Sequence, residues 1–207
     1  MISGPDGGHP PEGQGLRLLV GLGNPGPQYV GTRHNVGFDV LDLFAHRLGI
    51  EPEPLTLHGK RWGDLLCSPT RRFALFWPTV FMNRSGGAVL AALQTLEIPP
   101  ENMLILTDDF HLPLGALRLR ASGSCGGHNG LRDVESSLQS LNYPRIRLGV
   151  GDPGQDSVDF VLETFRTSDE ETVQEMLETA SWAAEDWAKG HSLEELQTQY
   201  NRRKPQA

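Results

Sequence analysis

The chain has 207 residues, 18 Lys+Arg against 26 Asp+Glu for a formal net charge of −8, and is 38% hydrophobic and 21% charged. That length suits one domain with a real hydrophobic core, and the composition excludes a disordered or fibrous chain. No apolar run approaches the roughly 18 residues needed to span a bilayer, so no membrane partner is expected. Residues 1–15 lack the basic and apolar regions of a signal peptide. Two cysteines, Cys67 and Cys125, are too few for a disulfide framework and fit a reducing compartment. Taken as a sum, −8 also argues against a nucleic-acid partner. The charge is unevenly placed, however. Residues 152–207 hold thirteen acids and five bases, which is the whole deficit, while residues 1–151 balance. Every base in that first part except Lys60 is arginine, whose planar fork suits phosphate and carboxylate.

In chain order, the Gly/Pro-rich stretch 1–15 is expected to be a disordered tail, followed by one domain over 16–201 and a short tail at 202–207. Leu16–Leu22 reads as a buried strand halted by Gly23-Asn24-Pro25-Gly26. Apolar residues at helical spacing over 34–48 predict a helix that Gly49 stops. Strands are predicted at Trp62–Cys67 and Arg72–Trp77. A helix capped by Ser85 should run to Leu96, and Pro99-Pro100 closes that region. Met103–Thr107 and Ala116–Arg120 read as strands, and the Gly-rich loop 122–130 leads to a helix over 131–141. Arg145–Gly151 is the last strand. Ser168-Asp169-Glu170-Glu171 has the pattern of a capping box, opening a long amphipathic helix whose acids face away from its apolar side. A shorter helix starts near Leu193, and these acidic helices occupy about 168–201. Strands alternating with helices give an α/β class with a parallel or mixed sheet.

Four clusters could carry chemistry. Asn24, between Gly23 and Pro25, directly follows a buried strand, at the sheet edge where ligands bind in open α/β folds. Gly21-x-Gly23-x-x-Gly26 has the spacing of a dinucleotide fingerprint, but Pro25 and Pro27 are poor openings for its phosphate-binding helix and no acid follows at the right distance. No such cofactor is expected. His34 falls at a helix start, where the dipole favours the neutral imidazole that a general base needs. Asn83 and Ser85 either act on a ligand or simply cap a helix. Asp108 and Asp109 end a strand. Without histidines at metal-ligand spacing, a carboxylate that orients a histidine is more economical than a metal pair, and an ordinary loop role stays open. Gly126-Gly127-His128-Asn129-Gly130 can bring backbone N–H groups to an anion. Arg118, Arg120, Arg132, Arg145 and Arg147 make 118–147 locally basic, either for phosphate or as a solvated face.

These clusters together resemble the bacterial-type peptidyl-tRNA hydrolase family. The resemblance runs from Leu16 to Tyr200 and rests on Val20-Gly-Leu-Gly-Asn24-Pro-Gly, Tyr29, Thr32-Arg-His34-Asn35, Pro78-Thr-x-Phe81-Met-Asn83-x-Ser-Gly, Asp108, Leu112-Pro, Gly126-Gly-His128-Asn129-Gly-Leu and Arg145-x-Arg147-x-Gly-x-Gly-x-Pro153-Gly. It implies a single α/β domain with a mixed, twisted sheet flanked by helices, monomeric and cytoplasmic, with no cofactor, no metal and no obligate protein partner. The implied reaction is hydrolysis of the ester that joins a peptide to the terminal ribose of tRNA, with the acceptor end and terminal adenosine of peptidyl-tRNA as the recognised parts.

Residue by residue, the resemblance makes His34 the general base, Asp108 its supporting carboxylate and Asn24 a catalytic amide. Asn83, Asn129, Tyr29, Phe81 and His128 would bind substrate, and Arg120 and Arg147, helped by Arg118, would grip tRNA phosphate. The sequence departs from the family in having His111 where an acid is usual, Asp152 where His or Arg is common, and Arg in place of Lys. An RNA-binding relative without hydrolysis and a generic esterase are the competing readings. Retention of Asn24, His34, Asn83, Asp108 and Asn129 together speaks against the first. The acidic C-terminal helices are expected to turn away from the arginine-rich face.

Overall fold

The structure is a computed structural model and describes residues 15–154 and 157–201. Both terminal tails, apart from Gly15, lie outside that range. Seven strands form one mixed sheet: β1 (Arg17–Gly21), β2 (Glu53–Leu57), β3 (Lys60–Cys67), β4 (Phe73–Pro78), β5 (Met103–Asp109), β6 (Leu117–Arg120) and β7 (Arg145–Gly149). Their spatial order is β2-β3-β4-β1-β5-β7-β6. The four central strands β4, β1, β5 and β7 run parallel, and β2, β3 and β6 add antiparallel edges. Six helices complete the described fold: α1 (Val36–Leu48), α2 (Ser85–Leu96), α3 (Asn129–Leu138), α4 (Ser157–Leu162), α5 (Glu170–Lys189) and α6 (Leu193–Tyr200).

The central strands are apolar on both faces because both are covered. Leu19, Leu104 and Leu106 pack with α1 and α5, while Leu18, Val20, Met103 and Ile105 pack with α2 and α3. One close approach fixes α1 against the sheet. A Cβ on Gly37 would sit 2.5 Å from the Leu106 carbonyl oxygen and 2.6 Å from the Leu22 nitrogen, and one on Gly21 would sit 2.4 Å from the Gly37 oxygen. Backbone therefore meets backbone where α1 starts, directly after His34. No described helix is long and apolar enough to cross a membrane.

Several local expectations change. Glu53–Leu57 is an extra edge strand that the sequence hides, because Pro54 and Glu53 are poor strand residues except at an edge, where no ladder donor is needed. Ser85 is the first residue of α2 and caps nothing; its hydroxyl donates to the Met82 carbonyl at 2.8 Å. The third helix spans Asn129–Leu138 rather than 131–141, with His128 as its cap. The Ser168–Glu171 pattern forms no capping box. Thr167–Asp169 is a 3-10 turn, and the Ser168 hydroxyl donates to the neighbouring Asp169 side chain. The capping box that does form joins Ser192 and Glu195 at the start of α6.

The acidic helices also part company. α5 packs on α1, whereas α6 lies against β6, the strand of Arg118 and Arg120. There Asn201 Oδ1 accepts from the Leu119 N–H at 2.5 Å and Gln197 donates to the Leu119 carbonyl at 3.2 Å. The expectation that both acidic helices turn from the arginine strand therefore fails for α6.

Replacing Gly37 with Ala forces α1 off the sheet at backbone atoms that cannot yield. We expect Gly37→Ala to cost about 3 kcal/mol, the upper part of the overpacking range, read as a lower urea midpoint at unchanged slope.

Candidate active site

The parallel strands end together, and Asn24, His34, Asn83, Asp108 and His128 lie in or next to the loops at their carboxyl edge, whereas Arg120, paired with Arg145 at the start of β7, lies toward the opposite edge. After β1, the loop carrying Asn24 is locked by Asn35. The Asn24 N–H donates to Asn35 Oδ1 at 2.9 Å, and Asn35 Nδ2 donates back to the Asn24 carbonyl at 3.1 Å. Asn24 Oδ1 accepts from the Met82 N–H at 2.8 Å. That bond fixes which end of the amide is oxygen and which end carries the two N–H groups.

His34 sits in a 3-10 turn (Arg33–Asn35) just before α1. The Arg33 guanidinium pins this turn to the α4 segment. It donates to the Phe160 and Glu163 carbonyls, each at 3.1 Å, and lies 4.0 Å from the centre of the Phe160 ring. His34 Nδ1 is 2.8 Å from Asp108 Oδ1, at the end of β5. Both groups are buried.

A second imidazole completes the arrangement. His128 Nε2 lies 3.0 Å from the same Asp108 oxygen and 2.7 Å from Thr107 Oγ1. Its Nδ1 accepts from the Leu131 N–H at 3.2 Å, as the cap of α3. A nitrogen that accepts carries no proton, so the hydrogen of His128 is on Nε2 and is shared between Asp108 and Thr107. Asp108 Oδ1 thus accepts from two imidazoles, and its bond to His34 holds that ring with Nδ1 protonated and Nε2 available as a base. Burial alone would raise the Asp108 carboxyl, but the imidazoles of His34 and His128 that hydrogen-bond to it hold it well below the usual carboxylate range. Burial pulls His34 down, and the Asp108 charge and hydrogen bond outweigh it, leaving His34 above its ordinary 6.5.

His34, Asp108 and His128 also have the donor types of a metal site, with ligand atoms all within 4.8 Å of one another. The fit is poor. His128 would have to lose its Nε2 proton and place one on Nδ1, against the Leu131 N–H that points at it.

The remaining residues divide. Asn83 is exposed in the 3-10 turn before α2, and Asn129 opens α3 with its Oδ1 accepting from Arg132 at 2.8 Å. Tyr29 and Phe81 meet edge to face with centroids 6.4 Å apart, and Phe81 is largely exposed. Arg120 is exposed on β6, with Arg118 half-buried two residues before it. His128, expected to bind substrate, is buried with both ring nitrogens used inside the protein. Arg147, expected to meet phosphate, instead pairs with Asp109 at 3.1 Å and donates to the Ser124 carbonyl at 2.6 Å, bracing the Gly-rich loop. Arg145 is fully buried and pairs with Glu135 at 3.4 Å, so it adds nothing to a basic surface. Sequence reasoning missed the roles of Asn35, Thr107 and Asp109. Asn35 alone carried a signal, as the neighbour of His34 in the same motif.

An imidazole held by a buried carboxylate at the carboxyl edge of a mixed sheet, near the Asn24 amide, has the parts of an α/β acid–base site. The peptidyl-tRNA hydrolase family model matches residues 18–207. A peptidyl-tRNA hydrolase of Synechococcus sp. (strain JA-3-3Ab) is 46% identical over 181 residues, 85% of this chain and 79% of that protein. That of Halalkalibacterium halodurans is 40% identical over 185 residues, covering 88% and 99%. The crystal structure of peptidyl-tRNA hydrolase from Acinetobacter baumannii superposes with a TM-score of 0.78 at 30% identity, covering 93% of this chain and 98% of that one. The chain belongs to the peptidyl-tRNA hydrolase family.

The tautomer is directly observable. Nitrogen-15 NMR at pH 8 should show His128 with Nε2 protonated and Nδ1 bare. The opposite tautomer would break the link from α3 to Asp108 and reopen the site to a metal.

Proposed function

We propose that this protein hydrolyses the ester between the peptide and the terminal ribose of peptidyl-tRNA, in the cytoplasm and as a monomer. The observation that carries the reading is the His34 Nδ1 to Asp108 Oδ1 contact of 2.8 Å, which leaves Nε2 to take a proton from water. As Nε2 gains that proton, the water oxygen bonds to the ester carbonyl carbon and the carbonyl oxygen becomes an oxyanion. Asp108 stabilises the imidazolium. The side-chain N–H groups of Asn24, aimed by the Met82 and Asn35 bonds, serve the developing charge, since pre-oriented donors act most strongly where charge appears. Collapse of the intermediate breaks the bond to the ribose oxygen, which takes the proton back from His34 Nε2 and leaves as free tRNA. An ester is activated enough for this to need no covalent intermediate.

Asn83 and Asn129 flank the site as amides for the terminal adenosine and the peptide main chain, with Tyr29 and Phe81 as the apolar wall. Arg120, with Arg118, is the surface for tRNA phosphate. Arg147 acts on phosphate only if it exchanges Asp109, so its first contribution is to order the loop that carries Asn129.

His34→Ala should lower turnover on peptidyl-tRNA by about 10²–10⁴-fold while tRNA binding survives; near-normal turnover would falsify the base assignment. The working form of His34 is neutral, so kcat/KM should climb with pH through a midpoint above 6.5. In Asp108→Asn the raising charge is gone and burial remains, so the climb should move to lower pH and the plateau should fall. A rise that stays in place would sever Asp108 from His34. Arg120→Ala should raise KM and make its salt dependence shallower by about one unit of slope; an unaltered slope would remove Arg120 from the tRNA surface.

A further inference from the structure

The substrate named above joins two unlike polymers at one ester, and the sheet order provides unlike surfaces on the two flanks of the site. On the β6 side stands exposed Arg120, level with the start of β7. On the opposite flank, beyond β1, a groove of about 760 Å³ opens between α1 and the β3–β4 pair. Its apolar lining includes Phe38, Ile50 and Trp77, and its acids are Asp42, Glu51 and Asp64. Asp42 anchors the floor by accepting from Trp77 Nε1 at 2.9 Å, and Asp64 is paired with Arg61 at 2.5 Å. Neither Asp42 nor Glu51 has a cation within ion-pair distance among the described residues. Pro25 and Gly26, which directly follow Asn24, and Thr79, which follows β4, form the end nearest the site. Because β4 and β1 are parallel neighbours, with Val20 opposite Phe76, the loops that carry Thr79 and Asn24 leave the same edge of the sheet side by side.

We infer that this groove is a subsite for the distal residues of the peptide, with a preference for apolar and basic side chains. The inference rests on the hydrolase reading. Three features carry it. The groove is continuous with the loop that aims Asn24. Its size and apolar floor with a few polar groups are those of a ligand pocket. Its charge repels the phosphates of tRNA, which leaves the peptide as the part of the substrate that fits. The two halves of the substrate then leave the ester in opposite directions across the sheet, nucleotide toward β6 and peptide toward β3.

The test compares three substrates on the full chain: an N-acetyl-aminoacyl-tRNA, too short to reach the groove, and two oligopeptidyl-tRNAs of about six residues, one with basic and one with acidic distal residues. The unaltered protein should show a lower KM for the basic peptide than for the acidic one. Glu51 is exposed and its side chain makes no hydrogen bond or ion pair among the described residues, so Glu51→Lys should fold normally. It should raise KM for the basic peptide about fivefold, the span of one exposed charge contact, lower KM for the acidic one, and leave the short substrate within twofold. Glu51→Gln should fall between. Equal KM values for all three substrates, or one common shift in every case, would overturn the subsite. If the unaltered protein failed on the N-acetyl-aminoacyl-tRNA itself, the hydrolase reading would be the one at fault.

Discussion

One carboxylate oxygen organises this molecule. Asp108 Oδ1 is buried at the end of β5 and accepts from imidazoles that arrive on different elements, one before α1 and one capping α3. A buried anion is costly unless its bonds are made, and losing one partner leaves the whole desolvation penalty exposed. The register of β5, the entry of α1 and the N-terminus of α3 must therefore agree at a single point. The Gly37 approach settles the first two together, since α1 can start where it does only with hydrogen at that Cα. The Leu131 N–H settles the third by choosing the His128 tautomer. Structure and chemistry here depend on the same few bonds.

What the sequence made legible follows from the range of each effect. β1 and β5 were plain because runs such as Leu18-Leu19-Val20 and Met103–Leu106 are buried on both faces and leave a continuous apolar record. Asn24, His34 and Asp108 stood out as candidates because each follows a strand or opens a helix, but local pattern left an ordinary loop role open for Asp108, and only the family resemblance joined it to His34. β2 was hidden by Pro54, and α4 is too short for its period to register. The Ser168 pattern was misleading because a capping box needs one backbone geometry, and Asp169 holds the N-cap position instead. Ser192 three residues before Glu195 satisfies the same rule with the right geometry. Long-range pairing left no mark at all. Nothing near Arg145 announces that it is enclosed with Glu135, or near Arg147 that Asp109 already holds it.

Those two ion pairs also refine the meaning of charge in this chain. The net −8 is carried by the C-terminal part, and the arginines of 118–147 are fewer on the surface than in the sequence, since Arg145 is spent inside and Arg147 on the loop. Of the five, only Arg120 and Arg132 are exposed, so the count of arginines in the sequence overstates the positive charge that this stretch presents to solvent.

The bond between α6 and the last strand has a consequence of a different kind. β6 is an edge, and the outward N–H and C=O of Leu119 would otherwise be an open template for another chain's strand. Asn201 and Gln197 occupy both groups with side chains, which cannot propagate a ladder. α6 thus closes this point of the edge to another strand, so the same two side chains that seat the helix also end the sheet.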